Sequence, residues 1–218
     1  MSGLSINCPL PIFPILSTSL MPSSLRCPTK SMYTSLIPNR NNWGDFGNLK
    51  KEFKKQIGKD HILPIFEVLT QHACLGVKST HLLSLEDIST FADLFDENLQ
   101  KRWDDVNFQR DAFLGTFPFL SRIFSYETED FEIYSGHDMN IEGILRGLGL
   151  PIASKIPFAS RIVFELWEKD KVNLVKVLYN GELLANLKNG TEILQKRLTY
   201  LFPNVSSFEE ACADHLAS

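Results

Sequence analysis

The 218 residues are 44% hydrophobic, 11% aromatic and 22% charged, a composition that can bury a core and that excludes disorder and collagen. No run reaches the roughly 18 to 20 uninterrupted apolar residues that a membrane-crossing helix needs, so no membrane segment is expected in this chain. Twenty-two Lys and Arg against 26 Asp and Glu give a net charge of −4. The basic residues are scattered, which sets nucleic acid aside as a partner.

Cys8, Cys27, Cys74 and Cys212 show no CxxC spacing, which argues against a structural zinc site or a thioredoxin-type redox centre and leaves disulfides open. Asn189-Gly190-Thr191 and Asn204-Val205-Ser206 match the acceptor pattern for N-glycosylation, a mild vote for secretion. The start of the chain has no basic n-region and its apolar residues are broken by Pro9, Pro11, Pro14 and Pro22, so no signal peptide or anchor is read there.

Six of the eleven prolines lie before residue 39, with many serines. Residues 1–40 therefore read as an extended lead-in without a core, and 41–218 as the domain proper. Phe46, Leu49, Phe53 and Ile57 recur at helical steps with lysines between them, and a second helix is expected from about Ile62 to Leu69. A third, capped by Ser84, carries the stripe Ile88, Phe91, Ala92, Phe95, Leu99 and Trp103, with Asp93, Asp96 and Glu97 facing water. Pro118 suits the first turn of another helix bearing Leu120, Ile123 and Phe124.

Past residue 130 the period changes. Phe131 to Ser135 alternates as a strand does, and residues 141–150 resume helical spacing up to Gly149. Arg161–Trp167 and Val172–Tyr179 are rich in branched and aromatic residues and flank a polar run, so they are expected to pair as an antiparallel hairpin. A last helix with Ile193, Leu194, Leu198 and Leu201 closes before Pro203. The mixture predicts an α/β sheet covered by helices, with functional groups beyond the carboxyl ends of its strands.

The loop after Tyr134 reads Ser135-Gly136-His137-Asp138. Gly136 permits a sharp exit from the strand, and the first-turn N–H groups of the next helix point at the same spot, where an anion is welcome. A phosphomonoester needs an anion site and an acid that protonates the departing alcohol; His137 and Asp138 supply one of each. A proton-donating Asp138 implies activity that favours acidic pH. The plainer alternative has Asp138 or Ser135 capping the helix from Met139, with His137 a hydrogen-bonded core residue.

Together, Tyr134-Ser135-Gly136-His137-Asp138, Gly147-Leu148-Gly149-Leu150, Pro157-Phe158-Ala159-Ser160-Arg161, Phe164-Glu165-Leu166-Trp167 and Val177-Leu178-Tyr179-Asn180-Gly181 resemble the C-terminal part of the histidine acid phosphatases. Phe113-Leu114-Gly115-Thr116-Phe117-Pro118 and Glu210-Ala211-Cys212 add to the likeness, which is firm over about residues 108–182. The resemblance implies a three-layer α/β/α fold of the phosphoglycerate mutase-like type, incomplete here, with a helical segment inserted before the C-terminal strands. It implies a phosphomonoester substrate, a phosphorylated sugar among the options, and no cofactor or metal. It makes Asp138 the proton donor and His137 a phosphate-binding residue, with Gly136 beside the substrate, in a phosphohistidine mechanism. Cys27 and Cys212 become the preferred disulfide, and Asn189 and Asn204 become glycosylation candidates of a secretory-pathway protein, whether Golgi, lysosomal or extracellular.

The family's nucleophilic histidine sits in an Arg-His-Gly-x-Arg motif and a further arginine in an Arg-Thr segment; neither Arg-His-Gly nor Arg-Thr occurs in the 218 residues. These groups attack the phosphoryl group and neutralise its charge. The expectation is therefore of a truncated or inactive relative, the alternative being a non-catalytic binder of phosphate or glycan. Met139 and Asn140 also stand where the family usually has a residue followed by threonine. A metal-dependent His-Asp hydrolase needs further histidine and aspartate ligands on helices, and the spacing of His61, His72 and His81 fits no metal motif. Arg146 and Arg161, the latter just before a strand, are candidates to reach a phosphate, although position supports neither strongly.

Overall fold

A computed structural model describes Cys27, Asp93, Asp96 and residues 104–125, 131–152 and 155–213. The lead-in apart from Cys27, the helices expected over residues 46–57 and 62–69, and most of the third helix lie outside the described residues. Asp93 and Asp96 are both helical, as expected. Asp93 is exposed, whereas Asp96 is half-buried and its Oδ1 accepts from the Lys155 N–H at 2.9 Å.

Helix α1 spans Val106–Phe124. It starts where Asp105, in extended backbone, turns its carboxylate onto the N–H groups of Asn107 and Phe108 at 2.8 and 3.2 Å, satisfying two of the orphan donors of a first turn. The helix begins twelve residues before Pro118, so the proline lies inside it and not in its first turn. An interior proline removes a helical hydrogen bond and costs about 3 kcal/mol in isolation. Here it is flanked by buried Phe113, Leu114, Phe119 and Leu120, whose burial outweighs that cost.

Helix α2, Asp138–Leu148, ends on Gly149 in the left-handed conformation at φ 74°, the usual stop for a helix. It crosses α1 closely: a Cβ on Gly147 would lie 2.4 Å from Thr116 Oγ1 and 3.6 Å from Phe113 Cα. Thr116 also donates its hydroxyl to the Ala112 carbonyl at 2.8 Å.

The sheet contains strands β1 (Ile162–Lys169), β2 (Val172–Tyr179) and β3 (Glu182–Lys188) in the order β1-β2-β3, all antiparallel. The expected hairpin is present, with Phe164 opposite Val177 and Leu166 opposite Val175. Both turns are two-residue loops with positive φ throughout, Asp170-Lys171 and Asn180-Gly181, the geometry that matches strand twist. Val175 and Val177 point to the helices and are fully buried. A register shift between Val177 and Leu178 marks a bulge against β3.

Helix α3, Gly190–Leu201, lays Leu194, Leu198 and Leu201 against the core, and the short α4, Phe208–Cys212, ends at a disulfide. Cys27 and Cys212 are bonded across 185 residues, with Cα atoms 4.6 Å apart, and both sit in the same core cluster as Phe113, Phe124 and Val175. Among the described residues the architecture is α/β, with helices on one face of a three-stranded sheet.

One element differs from expectation. Residues 132–137 belong to no helix or ladder, and the strand expected over Phe131–Ser135 is not formed. Phe131 and Ile133 are 68% and 74% exposed. The alternation was real, but the half-buried, bonded side of this segment is Glu132 and Tyr134.

Candidate active site

The site grows from the segment that enters α2. Tyr134 packs edge-on against Phe119 with ring centroids 5.0 Å apart. Its hydroxyl donates to the Glu132 carboxylate and accepts from Arg122 Nε at 3.1 Å. Arg122 Nη2 meets Glu132 Oε1 at 2.9 Å. Three side chains thus tie the segment before α2 to the end of α1, doing what a strand ladder does elsewhere. Burial, then the bond to Glu132, raises the Tyr134 pKa, and the hydrogen bonds to Tyr134 and Glu132 raise that of Arg122.

Beyond the clamp, Ser135 to Met139 are all exposed. His137 is the N-cap residue in extended backbone (φ −107°, ψ 167°), and Asp138 is the first residue of α2. The helix therefore starts one residue earlier than a cap at Asp138 requires, and His137 is not a core histidine. Its backbone N–H donates to Asn140 Oδ1 at 2.7 Å, and its carbonyl accepts from the Asn140 N–H at 2.9 Å. Asp138 Oδ1 accepts from the Met139 N–H at 2.8 Å. A Cβ on Gly136 would lie 2.9 Å from Asn140 Oδ1, so glycine lets the chain pass over that amide.

This geometry has a chemical consequence. At the start of α2 the Asp138 carboxylate already takes up the Met139 N–H, a first-turn donor of the kind an anion would also use. Imidazole and carboxyl stand on consecutive residues, both open to solvent.

The described arginines are largely committed elsewhere. Arg146 is 1% exposed, pairs with Glu142 at 2.5 Å and lies 4.1 Å over the Phe108 ring; it turns inward, away from a phosphate role. Arg197 donates to the carbonyls of Gly147 and Arg146 at the end of α2 and to Gln109 Oε1, and burial lowers its pKa. Arg110 donates to the Leu201 carbonyl at 2.7 Å. Arg161 remains exposed beside the Asn180-Gly181 turn. The clamp was missed by sequence reasoning, whereas Asn140 was open to a capping role and takes one; the signal for the clamp was that Glu132 and Tyr134, two residues apart, share a face.

With fold and geometry in place, the class follows. The family model for the histidine phosphatase superfamily (branch 2) matches residues 46–180, more than half of the chain and inclusive of His137 and Asp138; the chain belongs to this superfamily. The match begins well upstream of residue 108, where the visible motifs start. Among curated proteins, the chain is similar to the 2-phosphoxylose phosphatase 1 of Xenopus tropicalis, 36% identical over 124 residues that make up 52% of this chain and 23% of the frog protein. The Rattus norvegicus protein of the same name is 29% identical over 123 residues, 51% of this chain and 24% of its own. The Homo sapiens protein is 45% identical over 56 residues, 24% of this chain and 12% of its own. The aligned stretch spans no more than 24% of the length of any of these relatives.

Proposed function

We propose that the chain forms part of a phosphomonoester hydrolase of the acid phosphatase type, acting on a phosphorylated sugar. His137 contacts the phosphoryl oxygens. Asp138 hands its proton to the ester oxygen as the P–O bond breaks, so that the alcohol departs neutral, and activity rises toward acidic pH. The phosphoryl group passes first to a histidine, as the resemblance implies; no histidine of this sequence stands in an Arg-His-Gly setting.

The observation that carries this reading is the exposure of His137 and Asp138 together at the start of α2, inside the family match. The sugar-phosphate substrate is favoured by the name shared by the similar proteins. A secretory compartment is favoured by the Cys27–Cys212 disulfide, since such bonds persist in oxidising surroundings, and by the two glycosylation triplets.

A second reading, a non-catalytic binder of phosphate or glycan, is favoured by the absence of Arg-His-Gly and Arg-Thr from the 218 residues. Turnover of p-nitrophenyl phosphate near pH 5 separates the two. Hydrolysis above that of a His137→Ala, Asp138→Ala control supports the hydrolase; rates equal to the control leave only the binder.

A further inference from the structure

Two N-glycosylation triplets lie at opposite ends of α3, and the fold treats them differently. Asn189 is the N-cap of α3 at φ 52°, and its side chain accepts from the Glu192 N–H at 3.3 Å. Asparagine is among the few residues suited both to capping and to the left-handed region. Gly190 is buried under Phe124, where an added Cβ would lie 2.4 Å from the ring. Packing and capping thus account for Asn189 and Gly190 without a modification.

Asn204 has no such account. Phe202 is buried and accepts from the Val205 N–H at 3.1 Å, which closes a four-residue turn over Pro203 and Asn204. Asn204 is not among the residues of positive φ, so the turn is of the kind most residues can make. Phe202 and Val205 pack into or against the core on either side, which leaves the exposed Asn204 at the apex. The hydroxyl two residues on, that of Ser206, is present and donates to Glu210 Oε2 at 2.8 Å.

We propose that Asn204 is an acceptor of N-linked oligosaccharide. The Asn204 side-chain nitrogen attacks the anomeric carbon of a lipid-diphosphate-linked oligosaccharide. An N–C bond forms, the C–O bond to the diphosphate breaks, the lipid diphosphate leaves, and the amide nitrogen gives up one proton to the transferase. The glycan then stands on a turn that is anchored on both sides, projecting from the end of α3 without displacing any core side chain. This inference rests on the secretory-compartment reading above and is independent of the catalytic one.

The test is site-specific peptide mapping of the full chain, secreted from a eukaryotic host and treated with a peptide N-glycosidase in heavy-oxygen water. Conversion of Asn204 to heavy-oxygen-labelled aspartate, abolished in Ser206→Ala, is the expected result. Recovery of unmodified Asn204 from secreted chains overturns the proposal. Mapping of the Cys27–Cys212 disulfide in the same sample shows that the chains crossed an oxidising compartment, so a failure at Asn204 is distinguished from a failure of the compartment reading. The wild-type peptide answers even where a variant does not fold.

Discussion

The Arg122 guanidinium donates to the Tyr134 hydroxyl across twelve residues, from the end of α1 to the segment that delivers His137. Glu132 closes the triangle by accepting from both. The entry into α2 is therefore fixed by side chains and not by a ladder, which makes it sensitive to the ionisation of its members.

Burial, and next the bond to Glu132, raises the Tyr134 pKa above the ordinary 10.0, while the hydrogen bond from Arg122 opposes the rise. The folded state thus holds the neutral phenol more strongly than the unfolded state does. The stability this supplies is fully present below the ordinary tyrosine value and is lost as pH rises through the higher folded value. In a spectrophotometric titration one tyrosine should ionise late, and Tyr134→Phe should remove that late phase. Arg122→Ala should delay it further and cost about 0.5–1 kcal/mol by urea denaturation.

Asn140 holds the His137 N–H from inside the first turn of α2. Asn140→Ala should cost about 0.5–1 kcal/mol and should speed hydrogen exchange at the His137 amide, while exchange in β2 stays slow. Unchanged exchange at His137 would show that the cap does not hold the loop.

The Cys27–Cys212 bond closes a loop with 185 residues of separation and is buried in the core. Cys27→Ser with Cys212→Ser should lower stability by about 2–5 kcal/mol, read as a fall in the denaturant midpoint. Reduction of the wild type should reproduce the fall.

Gly190 lies against the Phe124 ring, with hypothetical Cβ distances of 2.4, 2.7 and 2.8 Å to ring and Cβ atoms. Phe124 is 1% exposed and cannot yield. Gly190→Ala should therefore cost about 1–3 kcal/mol by overpacking, measured as a lower melting temperature than that of the exposed Gly181→Asn control.

Periodicity carried α2 and α3, because each buries one side against a shared core and so writes its period into the sequence, and branched and aromatic residues flanking a polar run carried the β1–β2 hairpin. The Cys27–Cys212 pairing came from resemblance. Asn180-Gly181 carried a strong hairpin signal, yet β3 was not read, since Leu183 and Leu184 blur the alternation around the bulge. Pro118 misled because a local rule about helix starts met a helix whose packing overrides it. The segment before His137 was read as a strand and joins no ladder: alternation fixes which residues share a side, not whether a ladder or a trio of side chains receives them. His137 and Asp138 were found by motif; Arg122, twelve residues from Tyr134, left no local trace.

His137 and Asp138 are proposed as one side of a phosphate site at the start of α2. The most direct measurement is the NMR titration of the His137 ring with inorganic phosphate at constant ionic strength. Saturable movement of its ring signals, absent with chloride and weakened in Asn140→Ala, is the predicted result. Ring signals that respond no more to phosphate than to chloride would contradict the account.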